Sequence, residues 1–94
     1  MITRIVRLPI DPEHLSDFLK IFEQIQNEIG SQPGCINLEL FADVRKSGQV
    51  FTKSEWEDEE ALNNYRNSEL FKSTWPEVKK LFTDRAQAWT LSKL

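Results

Sequence analysis

The stretch from Val50 to Trp75 constrains the fold most, because its hydrophobic period changes partway along. Val50, Phe51, Thr52 and Trp56 are β-branched or aromatic with polar residues interleaved, which predicts a strand. At Asp58 the pattern switches. Asp58 is an N-cap candidate, Glu59 and Glu60 put negative charge in a first helical turn, and Ala61, Leu62 and Tyr65 recur at helical spacing. Ser68 interrupts, and Leu70, Phe71 and Trp75 then carry the apolar stripe onward. A strand thus feeds a helical arm that presents Tyr65, Phe71 and Trp75 inward. Pro76 breaks a helix interior but is tolerated in a first turn, and Thr74 to Glu77 fits a capping box. The arm therefore reads as a short helix over about Asp58 to Asn67, a connecting turn, and a second helix capped by Thr74 and ending near Phe82.

The remaining segments supply partners for this unit. Ile2 to Leu8 is a strand with Ile2, Arg4, Val6 and Leu8 on one side and Thr3, Ile5 and Arg7 on the other. Pro9 ends it. Asp11-Pro12 starts a helix, with Leu15, Phe18, Leu19, Phe22, Ile25 and Ile29 forming its apolar stripe and Gly30 as its left-handed C-cap. Gln32-Pro33-Gly34 is a turn. Cys35 to Asp43 is a strand with Ile36, Leu38, Leu40 and Ala42 on one face and Asn37, Glu39 and Phe41 on the other. The polar loop Arg45-Lys46-Ser47-Gly48 returns it to the strand Gln49 to Glu57 as an antiparallel hairpin whose register is open. Arg85 to Leu94 is a last strand, with Trp89 and Leu91 on one side and Ala86 and Ala88 on the other.

The order strand, helix, strand, strand, broken helix, strand predicts a ferredoxin-like α+β domain with both helices on one face of an antiparallel sheet. With 94 residues there is room for one such domain, 1–94. Ile5, Phe41, Trp89 and Leu91 leave the uncovered sheet face apolar, which predicts a homodimer packed sheet to sheet.

Composition excludes several functions. A net charge of −3 with mixed signs gives no basic stripe, so nucleic acid is not expected as a partner. No apolar run reaches the length of a membrane span and the first residues lack a signal-peptide pattern, so the expectation is a cytoplasmic protein away from membranes. The single cysteine, Cys35, precludes an intrachain disulfide and reads as a buried thiol. One histidine, His14, reads as a surface residue and leaves no zinc site and no serine triad. Glu39 and Glu55 fall on neighbouring strands, where paired carboxylates are common on a solvated face. Phosphate-binding glycine loops are absent.

What remains is aromatic. Phe18 and Phe22 on the first helix, Tyr65, Phe71 and Trp75 on the arm, and Phe51 or Trp56 from the sheet converge in this topology. They form either a filled core, the default reading on residues alone, or an apolar cleft for a planar ligand with Tyr65 and Arg4 as polar handles.

On Gln32-Pro33-Gly34-Cys35 before the second strand, Glu55-x-Trp56 at the end of the third, and Ala61-Leu62-x-x-Tyr65-x-x-Ser68-x-x-Phe71 after it, the chain resembles the antibiotic-biosynthesis monooxygenase superfamily of dimeric α+β barrels. The resemblance follows the element order of essentially the whole chain. It implies a monooxygenase that uses dioxygen on a small aromatic or quinol substrate with no cofactor and no metal. For that chemistry Tyr65 and Arg4 are the catalytic candidates, and the cleft residues Phe18, Phe22, Phe51, Phe71 and Trp75 are the expected substrate-binding ones. Many members carry histidine where this chain has Tyr65 and Leu70. The haem-degrading branch places its iron-ligating histidine where Trp75 stands, and indole does not replace imidazole there. These departures keep two alternatives in view, a non-catalytic dimeric ligand-binding module and an isomerase of a small metabolite.

Overall fold

Strand alternation decides which side chains meet the helices. The computed structural model describes residues 1–45 and 49–94. Strand β1 (Ile2–Pro9) lies between β3 (Gln49–Trp56) and β4 (Gln87–Ser92), and β2 (Cys35–Ala42) pairs with the other edge of β3. All pairings are antiparallel, giving the order β2-β3-β1-β4. Helix α1 (Leu15–Gly30) joins β1 to β2, and α2 (Glu59–Arg66) with α3 (Glu69–Lys79) joins β3 to β4. This is the ferredoxin-like α+β arrangement read from the sequence.

The register is now explicit. Leu8 faces Val50, and Arg4 has Ser54 as its partner on β3 and Thr90 on β4. The even-numbered residues of β1, β3 and β4 point to the helices, as the alternation of Ile2 to Leu8 and of Ala86 to Leu91 implied. In the hairpin, Leu38 faces Ser54 and Leu40 faces Thr52. Ile36 departs from its expected face, because a bulge between Cys35 and Asn37 shifts the register and leaves it exposed. Part of the loop Arg45-Lys46-Ser47-Gly48 lies outside the described residues.

At one end of the sheet Leu8, Ile10, Phe18, Phe22, Val50 and Val78 close into a packed core. Each such side chain contributes about 1.5–3 kcal/mol by leaving water. The segment after α3 clasps this end: Asp11 N–H donates to Leu81 O at 2.8 Å and Thr83 N–H to Pro9 O at 2.9 Å. The opposite end, toward Arg4 and Trp56, is where the packing opens.

Helix boundaries depart from expectation in three places. Asp11 and Pro12 start a short 3-10 turn (Pro12–His14) that leads into α1, with Asp11 Oδ1 accepting from Glu13 N–H at 3.0 Å. On α1, Phe18, Phe22 and Ile29 are buried while Leu19 is exposed, since it sits at the margin of the stripe and Ile21 packs from the other margin. Gly30 is the last helical residue rather than a left-handed cap. Ser31 closes the helix in a right-handed conformation, its hydroxyl donating to Asn27 O at 2.7 Å.

The left-handed residue is Gly34, with φ 82°. A Cβ there would collide with the Cβ of Ala61, so this glycine lets the start of α2 sit directly on the turn. Asp58 caps α2 as expected, accepting from Ala61 N–H at 2.9 Å.

The second half of the arm is corrected. Helix α3 runs Glu69–Lys79 behind a cap at Ser68, so it starts before Thr74 and ends short of Phe82, and Pro76 lies inside it. Ser68 Oγ accepts from Phe71 N–H at 3.2 Å and donates to Tyr65 O at 2.6 Å, which both caps α3 and turns the chain out of α2. Thr74 spends its hydroxyl on Leu70 O, one turn back, at 2.7 Å. The N–H that Pro76 lacks would have bonded Lys72 O. Both residues are exposed, so water reaches that turn.

Candidate functional site

Between the sheet and the helices lies a cavity of about 340 Å3. That volume is at the lower end of the range for small-molecule sites. The filled core expected by default from the residues alone is therefore not what forms at this end of the molecule. Its floor is the inward face of β1 and β3, with Arg4, Val6, Thr52, Ser54 and Trp56, and Ala86 and Ala88 edge it near β4.

One wall is a continuous arc of rings. Trp56 stacks on Tyr65 at 5.2 Å between centroids, Tyr65 meets Phe71 edge-on at 5.4 Å, and Phe71 stacks on Trp75 at 5.6 Å. Trp75 then meets Phe82 edge-on at 5.7 Å. The turn at Ser68 makes this arc possible, since it brings Tyr65 at the end of α2 against Phe71 at the start of α3. The facing wall is α1, where Phe18 and Phe22 stack at 5.9 Å.

Trp56 anchors the arc. It is 0% exposed, and its indole N–H donates to Ser54 Oγ at 2.9 Å, so burying the nitrogen leaves no donor unpaired.

Of the polar groups in the lining, Arg4 has a partner on the neighbouring strand. Its guanidinium donates to Thr90 Oγ1 at 2.7 Å. Burial, and next the charge of Arg66, pull its pKa below the usual arginine value, yet a guanidinium stays protonated under any physiological condition. The Tyr65 phenol is pushed up to about 12, first by burial and then by nearby Cys35. It is consequently a hydrogen-bond donor at neutral pH, not a base. The Cys35 thiol is itself raised by burial, against a weaker opposing effect of a backbone hydrogen bond at Asn37.

Of the residues singled out from sequence, Arg4, Phe18, Phe22, Tyr65, Phe71 and Trp75 all line this cavity. Phe51 does not. It has the opposite strand parity to Trp56 and lies on the far sheet face, opposite Phe41 in register, so Trp56 occupies the inward place. His14 is exposed and paired with Asp17 at 3.1 Å, away from the cavity. Arg66, Thr52, Ser54 and Thr74 were not anticipated. Arg66 had a legible signal: it falls one helical turn after the buried Leu62 and so shares its inward stripe. Among the described residues, no group of three His, Cys, Asp or Glu side chains could hold a metal ion, and no helix is long and apolar enough to cross a membrane.

A ferredoxin-like α+β domain with an aromatic-walled cavity between its sheet and helices defines the class. Residues 1–75 match the family model for antibiotic biosynthesis monooxygenase. The chain belongs to that family. No curated protein matches it in sequence. Among solved structures it resembles an antibiotic biosynthesis monooxygenase at 21% identity and TM-score 0.93, covering 100% of this chain and 99% of that one. A conserved protein from Methanosarcina mazei Go1 is similar at 20% identity and TM-score 0.93, covering 100% of this chain and 94% of that one. Rv0793 from Mycobacterium tuberculosis is similar at 18% identity and TM-score 0.89, covering 99% and 94% of the two chains. At such identities the likeness establishes the fold.

Proposed function

We propose that this chain is a monooxygenase whose active site is the aromatic-walled cavity, taking a small aromatic or quinol-type substrate and dioxygen in the cytoplasm without a resident metal or flavin. The observation that carries the reading is a ring-lined cavity of about 340 Å3 whose lining includes the Arg4 guanidinium and the Tyr65 phenol. A flat ring fits between Phe22 and the Phe71–Trp75 stack, where water is displaced. Once the substrate is ionised, the Arg4 charge stabilises its oxyanion and the protonated Tyr65 donates a hydrogen bond to it. The anion gives its electrons to dioxygen, one oxygen atom forms the new carbon–oxygen bond, and the other leaves as water. For a quinol with an open ring position the products balance as one hydroxyquinone and one water.

Among the described residues, no carboxylate or imidazole lines the cavity. The substrate proton therefore passes to solvent, its loss favoured by the cationic end of the site. The same observation favours a second reading, a binding module that kept the fold and lost the chemistry. It weighs against an isomerase, which has to carry a proton between two positions of its substrate.

The uncovered sheet face supports a homodimer. Phe41, Trp89 and Leu91 are 47%, 43% and 49% exposed there, with Ile5 and Phe51 between them; these apolar side chains, interleaved with Arg7 and Lys53, are what a second copy would cover. Sedimentation at micromolar concentration should give the mass of two chains; the mass of one would remove the sheet-to-sheet assembly.

Oxygen uptake by the purified protein over a panel of quinols tests the activity. Saturable uptake above the buffer rate is expected with at least one. No uptake with any, alongside saturable quenching of tryptophan fluorescence, would establish the binding module in its place.

A further inference from the structure

Two arginines enter one apolar cavity. Arg4 and Arg66 both line it, while among the described residues no Asp or Glu lines it or forms an ion pair with either. The chain as a whole has 15 acidic and 12 basic residues, so the cavity reverses the sign of the molecule. Two like charges near each other, one of them partly buried, add nothing to folding. A ligand that carries the opposite charge gives them a use.

We propose that Arg4 and Arg66 form a receptor for a carboxylate on the ligand, so that the molecules taken by this site are aromatic or quinol-type acids. The receptor is built across three strands. Ser54, Arg4 and Thr90 are cross-strand partners in one row on the inward face, at the open end of the sheet. Arg4 spends one donor on Thr90 Oγ1 and keeps the rest of its planar fork. Ser54 Oγ accepts from Trp56, which leaves its own hydrogen free to donate. Arg66 closes the receptor from the end of α2, immediately after Tyr65. A carboxylate set against this row finds charge-assisted donors from both sides, and guanidinium geometry suits its two oxygens. Its ring then extends along Phe71 and Trp75. This assignment rests on the cavity being the substrate site and names the substrate class that the site selects.

Binding of naphthoate and of the neutral naphthamide, which share a ring, separates the two claims when each is titrated by tryptophan fluorescence. Naphthoate should bind at least about tenfold more tightly than naphthamide, and added salt should weaken naphthoate alone. Arg66→Gln, an exposed substitution that the fold tolerates, should lower naphthoate affinity about tenfold or more and leave naphthamide unchanged. Arg4→Gln should do the same. Equal affinities of the wild-type protein for both probes would overturn the receptor while leaving the aromatic cavity intact. Equal loss of both probes in Arg66→Gln would assign that residue a structural role and overturn it too. Binding of neither probe would overturn the receptor together with the cavity as an aromatic site.

Discussion

The ionisation of Tyr65 can be followed without interference, because it is the only tyrosine in the chain. Its ring stands between Trp56 and Phe71, and burial pushes its pKa from 10.0 to about 12. The sign follows from which state ionises first. The unfolded chain releases the phenolic proton near its ordinary value, while the folded chain holds it until about 12. The stabilisation is thus fully present below about pH 10 and is lost as pH rises toward about pH 12. A shift of this size corresponds to roughly 2–3 kcal/mol in total, with about half gone midway through the interval. The tyrosinate absorbance of the native protein should therefore rise near pH 12, and that of the urea-unfolded protein near its ordinary value. Urea denaturation of wild type and Tyr65→Phe should show stabilities converging or crossing as pH climbs through that window, since only the wild type carries the penalty. A native transition near pH 10 would refute the buried placement of the ring. Identical alkaline behaviour in the variant would refute the linkage. In turnover, the phenol remains protonated across the physiological range, so no limb of a pH–rate profile at ordinary pH belongs to it. With a substrate that is turned over, Tyr65→Phe should lower kcat/KM by about tenfold to a hundredfold if one charge-assisted hydrogen bond to the oxyanion is lost, and an unchanged rate would remove the phenol from the mechanism.

Two backbone predictions test the frame that holds the site. Gly34→Ala should cost about 2–4 kcal/mol, from a left-handed conformation plus the collision with Ala61, and a urea midpoint close to wild type would mean that α2 does not sit on this turn. Pro76→Ala should raise stability by about 1–2 kcal/mol by restoring a bond inside α3, partly offset by a more flexible unfolded chain. A loss of stability in that variant would instead favour a helix starting at Thr74.

The elements and their inward faces were legible because hydrophobic period reports them directly. The spacing of Phe18, Phe22 and Ile29 oriented α1, and alternation placed Arg4 with Val6 and Leu8 and set Trp89 and Leu91 on the far face. Where two local signals compete, the sequence alone points to the wrong helix start. Thr74 to Glu77 has the form of a capping box and Pro76 favours a helix start, yet Ser68 bonds in both directions and the Phe71–Trp75 stack spans the place where a break was expected. Tertiary packing outweighed the local preference.

The sheet's contribution to the site turned on one unit of parity. Phe51 and Trp56 cannot both face the helices, and only the register, with Val50 beneath Leu8, chooses Trp56. Whether the rings interlock or part was not legible at all. Periodicity tells which way a ring points, while the space between facing rings depends on how far apart the helices stand. That separation is set by the closed end of the domain, where Ile10 bridges to Phe82 and Asp11 bonds Leu81, contacts between segments far apart in the chain that no local period reports. Arg66 was missed for a simpler reason: a charged residue at a helix end reads as solvated unless its turn is compared with that of Leu62.

The most direct measurement is the set of magnetisation-transfer contacts between bound naphthoate and the ring protons of the isotopically labelled protein. Contacts are expected from the naphthalene ring to Phe22, Phe71 and Trp75, with the carboxylate end toward Arg4. Contacts confined to Trp89 and Phe41 on the opposite sheet face, or none despite measured binding, would contradict it.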